Sequence, residues 1–171
     1  MIQLGSRVVP DKPKEVKGIQ MGRHIASLYI LHSTIYGAGS AEGGVPDRTL
    51  IGRYDVNYSD GTKETIPIVY GEDLRDWWNV DDSKPVSRGR MAWEGGSVVA
   101  GPRSYTLRLY MTKWTNPQPD KEVASIDYVS ADTPAAPFCA AMTVEEGAKL
   151  TPGPTEASTP KAEAGPTPKT E

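Results

Sequence analysis

The chain has 171 residues, 37% apolar and 24% charged, and its 17 Gly and 15 Pro put it above an average chain but below low-complexity sequence. A formal charge of −3 and a pI near 5.5 argue against nucleic-acid recognition through a basic surface. One Cys excludes an intrachain disulfide framework and a multi-cysteine zinc site, and two His leave few catalytic arrangements.

No stretch is apolar for long enough to predict a membrane span. Met1 to Pro13 lacks the basic and apolar regions of a signal peptide. Ala26 to Ser33 is the first predicted strand, with Leu28 and Ile30 on one face, Tyr29 and Leu31 on the other, and burial expected on both sides. Gly37-Ala38-Gly39 and Gly43-Gly44 precede no strand-to-helix unit, so they read as turns and not as a phosphate loop. Tyr54, Val56 and Tyr58 then alternate with Arg53, Asp55 and Asn57, the period-2 pattern of a half-buried strand. Asp60-Gly61 predicts a two-residue hairpin turn into a return strand, Lys63 to Tyr70. Pro67 cannot donate a ladder hydrogen bond, which assigns that return strand to an edge or a bulge.

Gly71 to Asn79 is the one predicted helix, with Glu72 and Asp73 favouring its N-terminal dipole. Its acidic residues, Glu72, Asp73 and Asp76, are expected on a solvated face. Short or alternating segments follow at Met91 to Trp93, Ser104 to Thr112, Val123 to Val129 and Phe138 to Val144. From Lys149 to Glu171 five Pro occur among Thr and Ala with no aromatic residue, so this segment is expected to be a disordered tail or linker. The domain is therefore expected to span residues 1–148. Many short strands joined by Gly- and Pro-rich connections, without βα alternation, predict an antiparallel sandwich with its long loops gathered at the ends.

Several runs carry a family likeness: Gly52-Arg53-Tyr54 through Tyr58-Ser59-Asp60-Gly61-Thr62, Ile66-Pro67-Ile68-Val69-Tyr70-Gly71, and Asp76-Trp77-Trp78. So do Ala26 through His32, Trp114-Thr115-Asn116-Pro117, Lys121-Glu122-Val123 and Ser125 through Ser130. Together they resemble the galactose-binding-like β-sandwich modules of multi-module proteins from environmental bacteria. The resemblance implies an all-β jelly roll, here with one short helix, serving as an accessory module. It also implies a secreted or cell-surface setting beside other modules of a larger chain, to which the tail would be a tether.

Catalysis has no motif: neither a zinc-protease helix nor a nucleophile elbow is present. His32, between Leu31 and Ser33, reads as structural, and Cys139 as a small buried side chain. Asp81-Asp82 offers oxygen ligands for a structural calcium; no other cofactor and no metal-ligating cluster is indicated. The aromatic residues are the functional lead, since four Trp and eight Tyr outweigh one Phe. Their rings suit partly wet surfaces and can stack on the C–H faces of a sugar. Adjacent Trp77 and Trp78 cannot both point inward from one helix, so one is expected to be exposed or to cover a sheet edge. A polysaccharide or glycan is thus the expected ligand, with Trp77, Arg75 and Asp76 as a first rim site and Trp114 and Asn116 as a second. The alternative is an architectural or protein-interaction domain in which all four Trp fill the core.

Overall fold

The computed structural model describes residues 1–39, 44–78, 84–97 and 105–147. The segment 149–171 and the Asp81-Asp82 pair lie outside the described residues. Among the described residues eight strands follow one another: β1 (Ile2–Gln3), β2 (Glu15–Ile35), β3 (Leu50–Tyr58), β4 (Lys63–Val69), β5 (Arg90–Ser97), β6 (Tyr105–Thr115), β7 (Glu122–Ser130) and β8 (Ala136–Glu146).

All strand pairs are antiparallel, and β2 belongs to two sheets. Its first half, Glu15 to His24, pairs with β7, which pairs with β3 and then β4. Its second half, Ile25 to Ile35, pairs with β8 on one side and over Ser27 to His32 with β6 on the other. β1 and β5 close the edges of this sheet. The first half of β2 breaks register between Val16 and Ile19 and again between Gln20 and Arg23. Gly18 (φ 69°) and Gly22 (φ 58°) occupy those breaks, where an L side chain would be strained.

The two sheets face each other across one core. Leu28 and Ile30 of β2, Tyr110 of β6 and Cys139 of β8 meet Tyr54 and Val56 of β3, Ile66 and Ile68 of β4, and Ile126 and Tyr128 of β7. Burial of these side chains is the main stabilising term. The Tyr54 and Tyr128 rings stack with centroids 4.5 Å apart. His32 is buried beside them, with Nε2 2.9 Å from Thr112 Oγ1. The expected β-sandwich is therefore observed, and Pro67 lies on β4, an edge strand, as its missing N–H requires.

Three local expectations need correction. The first predicted strand starts much earlier, at Glu15, and its Tyr29 and Leu31 face is only partly buried. The β3–β4 loop has three residues, not two: Tyr58 N donates to Thr62 O (2.9 Å), while Gly61 N donates to Tyr58 O (3.0 Å). That arrangement is a turn followed by a left-handed residue, Gly61, at φ 85°. A Cβ at Gly61 would touch nothing, so Gly61→Ala isolates the backbone strain. It is expected to cost about 1–2 kcal/mol in urea denaturation with the m-value unchanged.

The predicted helix at Gly71 to Asn79 is not formed, and the described residues contain no helix, hence none long and apolar enough to cross a membrane. One tight turn follows β4: Glu72 N and Asp73 N both donate to Val69 O, and Gly71 N donates to Leu74 O. The chain then runs extended, with Asp76 bridging Thr34 in parallel. The carboxylates explain the outcome. Asp73 and Asp76 are buried and accept backbone N–H groups from other segments, so neither lies on a solvated helical face.

Candidate functional site

Beyond the His32–Tyr110 pair, β2 and β6 separate and the segment after the β4 turn enters the gap. Trp77 N donates to Thr34 O and Arg108 N donates to Trp77 O, each at 2.9 Å, so Trp77 is hydrogen-bonded to both flanking strands. Asp76 fixes what surrounds it. Its Oδ2 accepts Gly37 N (2.7 Å) and Ala38 N (3.3 Å), and its Oδ1 accepts Trp78 N (2.9 Å). A charged acceptor suits buried backbone donors because such bonds are stronger than neutral ones. One carboxylate thereby clamps the turn after β2 to the Trp77-Trp78 segment.

The clamp shapes a cleft of about 370 Å³ lined by Ile35, Tyr36, Ala38, Gly39, Asp76, Trp77 and Trp78. Trp77 and Trp78 have centroids 5.6 Å apart at 46°, and Trp77 meets Phe138 edge-on at 5.7 Å. Tyr36 is 40% exposed and Trp78 36%, whereas Trp77 is partly buried between its neighbours. Tyr36 also adopts φ 57°, a region that bulky residues rarely enter. Its backbone is held there by Val45 N donating to Gly37 O (2.9 Å) and by the Asp76 bonds to the next two residues. Strain of this kind persists only where the surroundings over-determine it, and it concentrates at ligand sites.

The expected first site is thus brought together in part. Trp77 and Asp76 line the cleft, but the Asp76 oxygens face backbone donors, which makes it a positioning residue. Arg75 is 3% exposed and stands behind the cleft, not at its rim. Its Nη1 and Nη2 donate to the two oxygens of Asp47 (3.0 and 2.9 Å), and its guanidinium lies 5.6 Å from the Tyr70 ring centroid. The Arg75 hydrogen bonds hold the Asp47 carboxyl below its ordinary pKa.

The expected second site lies elsewhere. Trp114 is opposite Leu28 on β2, six residues from Thr34, or about 20 Å along the strand. It packs against the core. Asn116 is buried and engaged: it accepts from Tyr58 OH (2.6 Å) and Gln118 N (2.9 Å) and donates to Ile25 O (2.8 Å). The two groups of candidates do not form one site.

Sequence reasoning missed Tyr36. Its signal was a Tyr at the junction between a strand and a Gly-rich turn, where an aromatic ring ends up at the rim of the sandwich. The two other reactive side chains are far from solvent. Burial pushes the Cys139 thiol up and lowers the His32 pKa to about 4, the latter partly offset by the Asp73 charge. Among the described residues, no group of three or more His, Cys, Asp or Glu is placed to hold a metal. No family model, curated protein or solved structure matches the chain.

Proposed function

We propose that the chain is a non-catalytic accessory module that binds carbohydrate in the Tyr36–Trp77–Trp78 cleft. One observation carries this reading: three neighbouring aromatic side chains, two of them exposed, line one cleft whose backbone is held by a buried carboxylate at one end of the sandwich. The apolar faces of pyranose rings gain area by stacking on such rings, and indole and phenol groups also have polar edges that suit hydroxyls. The galactose-binding-like resemblance implies an accessory module, in keeping with this reading. An architectural or protein-interaction role is the competing reading, favoured by the apolar concavity on the outer face of the β2–β8 sheet, lined by Met1, Leu107, Leu109 and Phe138.

Affinity electrophoresis in gels containing neutral polysaccharides, together with Trp fluorescence, separates the two. Binding should retard the chain and shift its emission. Trp78→Ala should weaken binding about tenfold, equivalent to about 1.4 kcal/mol for one lost ring contact. Near-UV circular dichroism checks that the variant stays folded. Mobility and emission indifferent to every polysaccharide would falsify the carbohydrate reading.

A further inference from the structure

We infer that the ligand is an extended, unbranched chain of neutral sugars, and that it continues from the cleft across the outer face of the β8–β2–β6–β5 sheet onto Trp93. This inference rests on the carbohydrate reading and adds a second stacking platform with a class of substrate.

The platform comes from a bulge. Met91 is opposite Tyr110 and Trp93 opposite Leu109, so Ala92 is an extra residue on β5. Without it, Trp93 would share the inward face of Met91 and Tyr110. With it, Trp93 shares the outward face of Leu109. There it is 48% exposed and lies flat: a Cβ built on Gly95 would collide with its six-membered ring, at Cζ2 and, 2.5 Å away, at Cη2. Glycine at position 95 therefore lets the indole rest on the sheet with its other face open.

Trp93 and Trp77 line one concavity of about 330 Å³, and Trp77 with Ile35 also lines the cleft, so the two adjoin at these side chains. Trp77 is hydrogen-bonded on one side to β6, and β5 is the next strand over. Two interstrand steps put the two backbone segments about 10 Å apart, on the order of a disaccharide's length. The charge pattern selects the chemistry. Among the described residues lining both concavities, Asp76 is the only charged side chain, and its oxygens bond backbone N–H groups. Among the described lining residues there is no Lys, Arg or His, and the α-amino group of Met1 is on a residue 87% exposed and so keeps its water; nothing buried there compensates the desolvation of a uronate or sulfate, which favours a neutral ligand. A ring lying flat on a sheet calls for a flat partner, as in a ribbon of β-linked pyranoses with equatorial hydroxyls.

The test is isothermal titration of the full chain with neutral β-linked gluco-, manno- and xylo-oligosaccharides, from disaccharide to hexasaccharide, with oligogalacturonides as the charged comparison. Affinity for at least one neutral series should rise about tenfold or more from disaccharide to hexasaccharide. Trp93→Ala should remove that gain while leaving disaccharide binding within about twofold, and Trp78→Ala should weaken both. Gly95→Ala, which keeps the indole but lifts it, should reproduce the Trp93→Ala result. Disaccharide and hexasaccharide binding equally, with Trp93→Ala silent and Trp78→Ala damaging, would overturn the inference and leave the cleft intact. Oligogalacturonides binding as well as the neutral chains would overturn the substrate class. Sedimentation showing a dimer that Trp93→Ala dissociates would assign the face to a second copy. Absence of binding by every neutral oligosaccharide would remove the cleft reading and this inference together.

Discussion

Replacing Asp73 with alanine is expected to destabilise the chain by about 3–4 kcal/mol. The side chain is fully buried and satisfies groups from two directions. Its Oδ2 accepts Val69 N (2.7 Å), and both oxygens accept from Arg88, with Nε 2.6 Å from Oδ1. Arg88 N and Gly89 N also donate to Glu72 O, each at 2.8 Å, so the turn after β4 and the approach to β5 are fastened side by side. Alanine would leave the partly buried Val69 N–H without this acceptor and Arg88 with Glu72, 3.2 Å away, as its remaining carboxylate. Arg88→Ala should cost less, because that side chain is 44% exposed and water can replace part of what it loses. Urea denaturation measures both; an Asp73→Ala loss below about 1 kcal/mol would refute this account. Asp76, which shapes the cleft, lies three residues beyond this fastening, so the Trp emission of Asp73→Ala should also shift.

Acidification should destabilise the fold well before its carboxylates titrate. The pKa of His32 is lowered by burial to about 4, against 6.5 for an ordinary, solvated imidazole. Below pH 6.5 the unfolded chain takes up a proton that the folded chain refuses, so stability is lost progressively as pH falls from about 6.5 to about 4. The loss by pH 4 amounts to about 3 kcal/mol. Asp47, Asp127 and Glu145 have lowered pKa values in the folded chain, so their contribution is present above the ordinary carboxylate range and disappears only below it. The upper part of the acid limb, from about pH 6 to 5, thus belongs to His32. His32→Gln, which retains a polar group near Thr112 Oγ1, should flatten that limb even if it lowers stability at pH 7. A limb of unchanged slope in His32→Gln would show that another group controls it.

Much of the architecture was legible because it depends on local alternation. Tyr54, Val56 and Tyr58 announced β3, and Pro67 announced an edge. The first half of β2 was hidden by its own composition: Glu15, Lys17, Gln20 and Arg23 are polar and Gly18 and Gly22 interrupt any alternation, although the glycines serve bulges within the strand. The helix expected at Gly71 failed for a different reason. Acidic residues at a helix start and acidic residues that tie distant backbone look alike in one dimension. Only the fold reveals that Asp73 meets Arg88 and that Asp76 meets Gly37. Trp77 was expected at a site from its chemistry alone, and it lines the cleft. The outward face of Trp93 was not legible, because one extra residue at Ala92 reverses the parity by which a strand is read.

The shared strand β2 also sets a schedule for synthesis. Each of its partners, β6, β7 and β8, begins at or after Tyr105, whereas β3–β4 and β5–β6 are hairpins between neighbours in the sequence. A nascent chain can close the first hairpin early, but its longest strand must wait for the last third of the domain to leave the ribosome. Pairings that span so much chain make folding slow and late. Until then β2 presents Leu28, Ile30 and Leu31 with unpaired backbone, which is an invitation to misassembly. A chain cut before β8 would have no means of completing either the sheet or the fold.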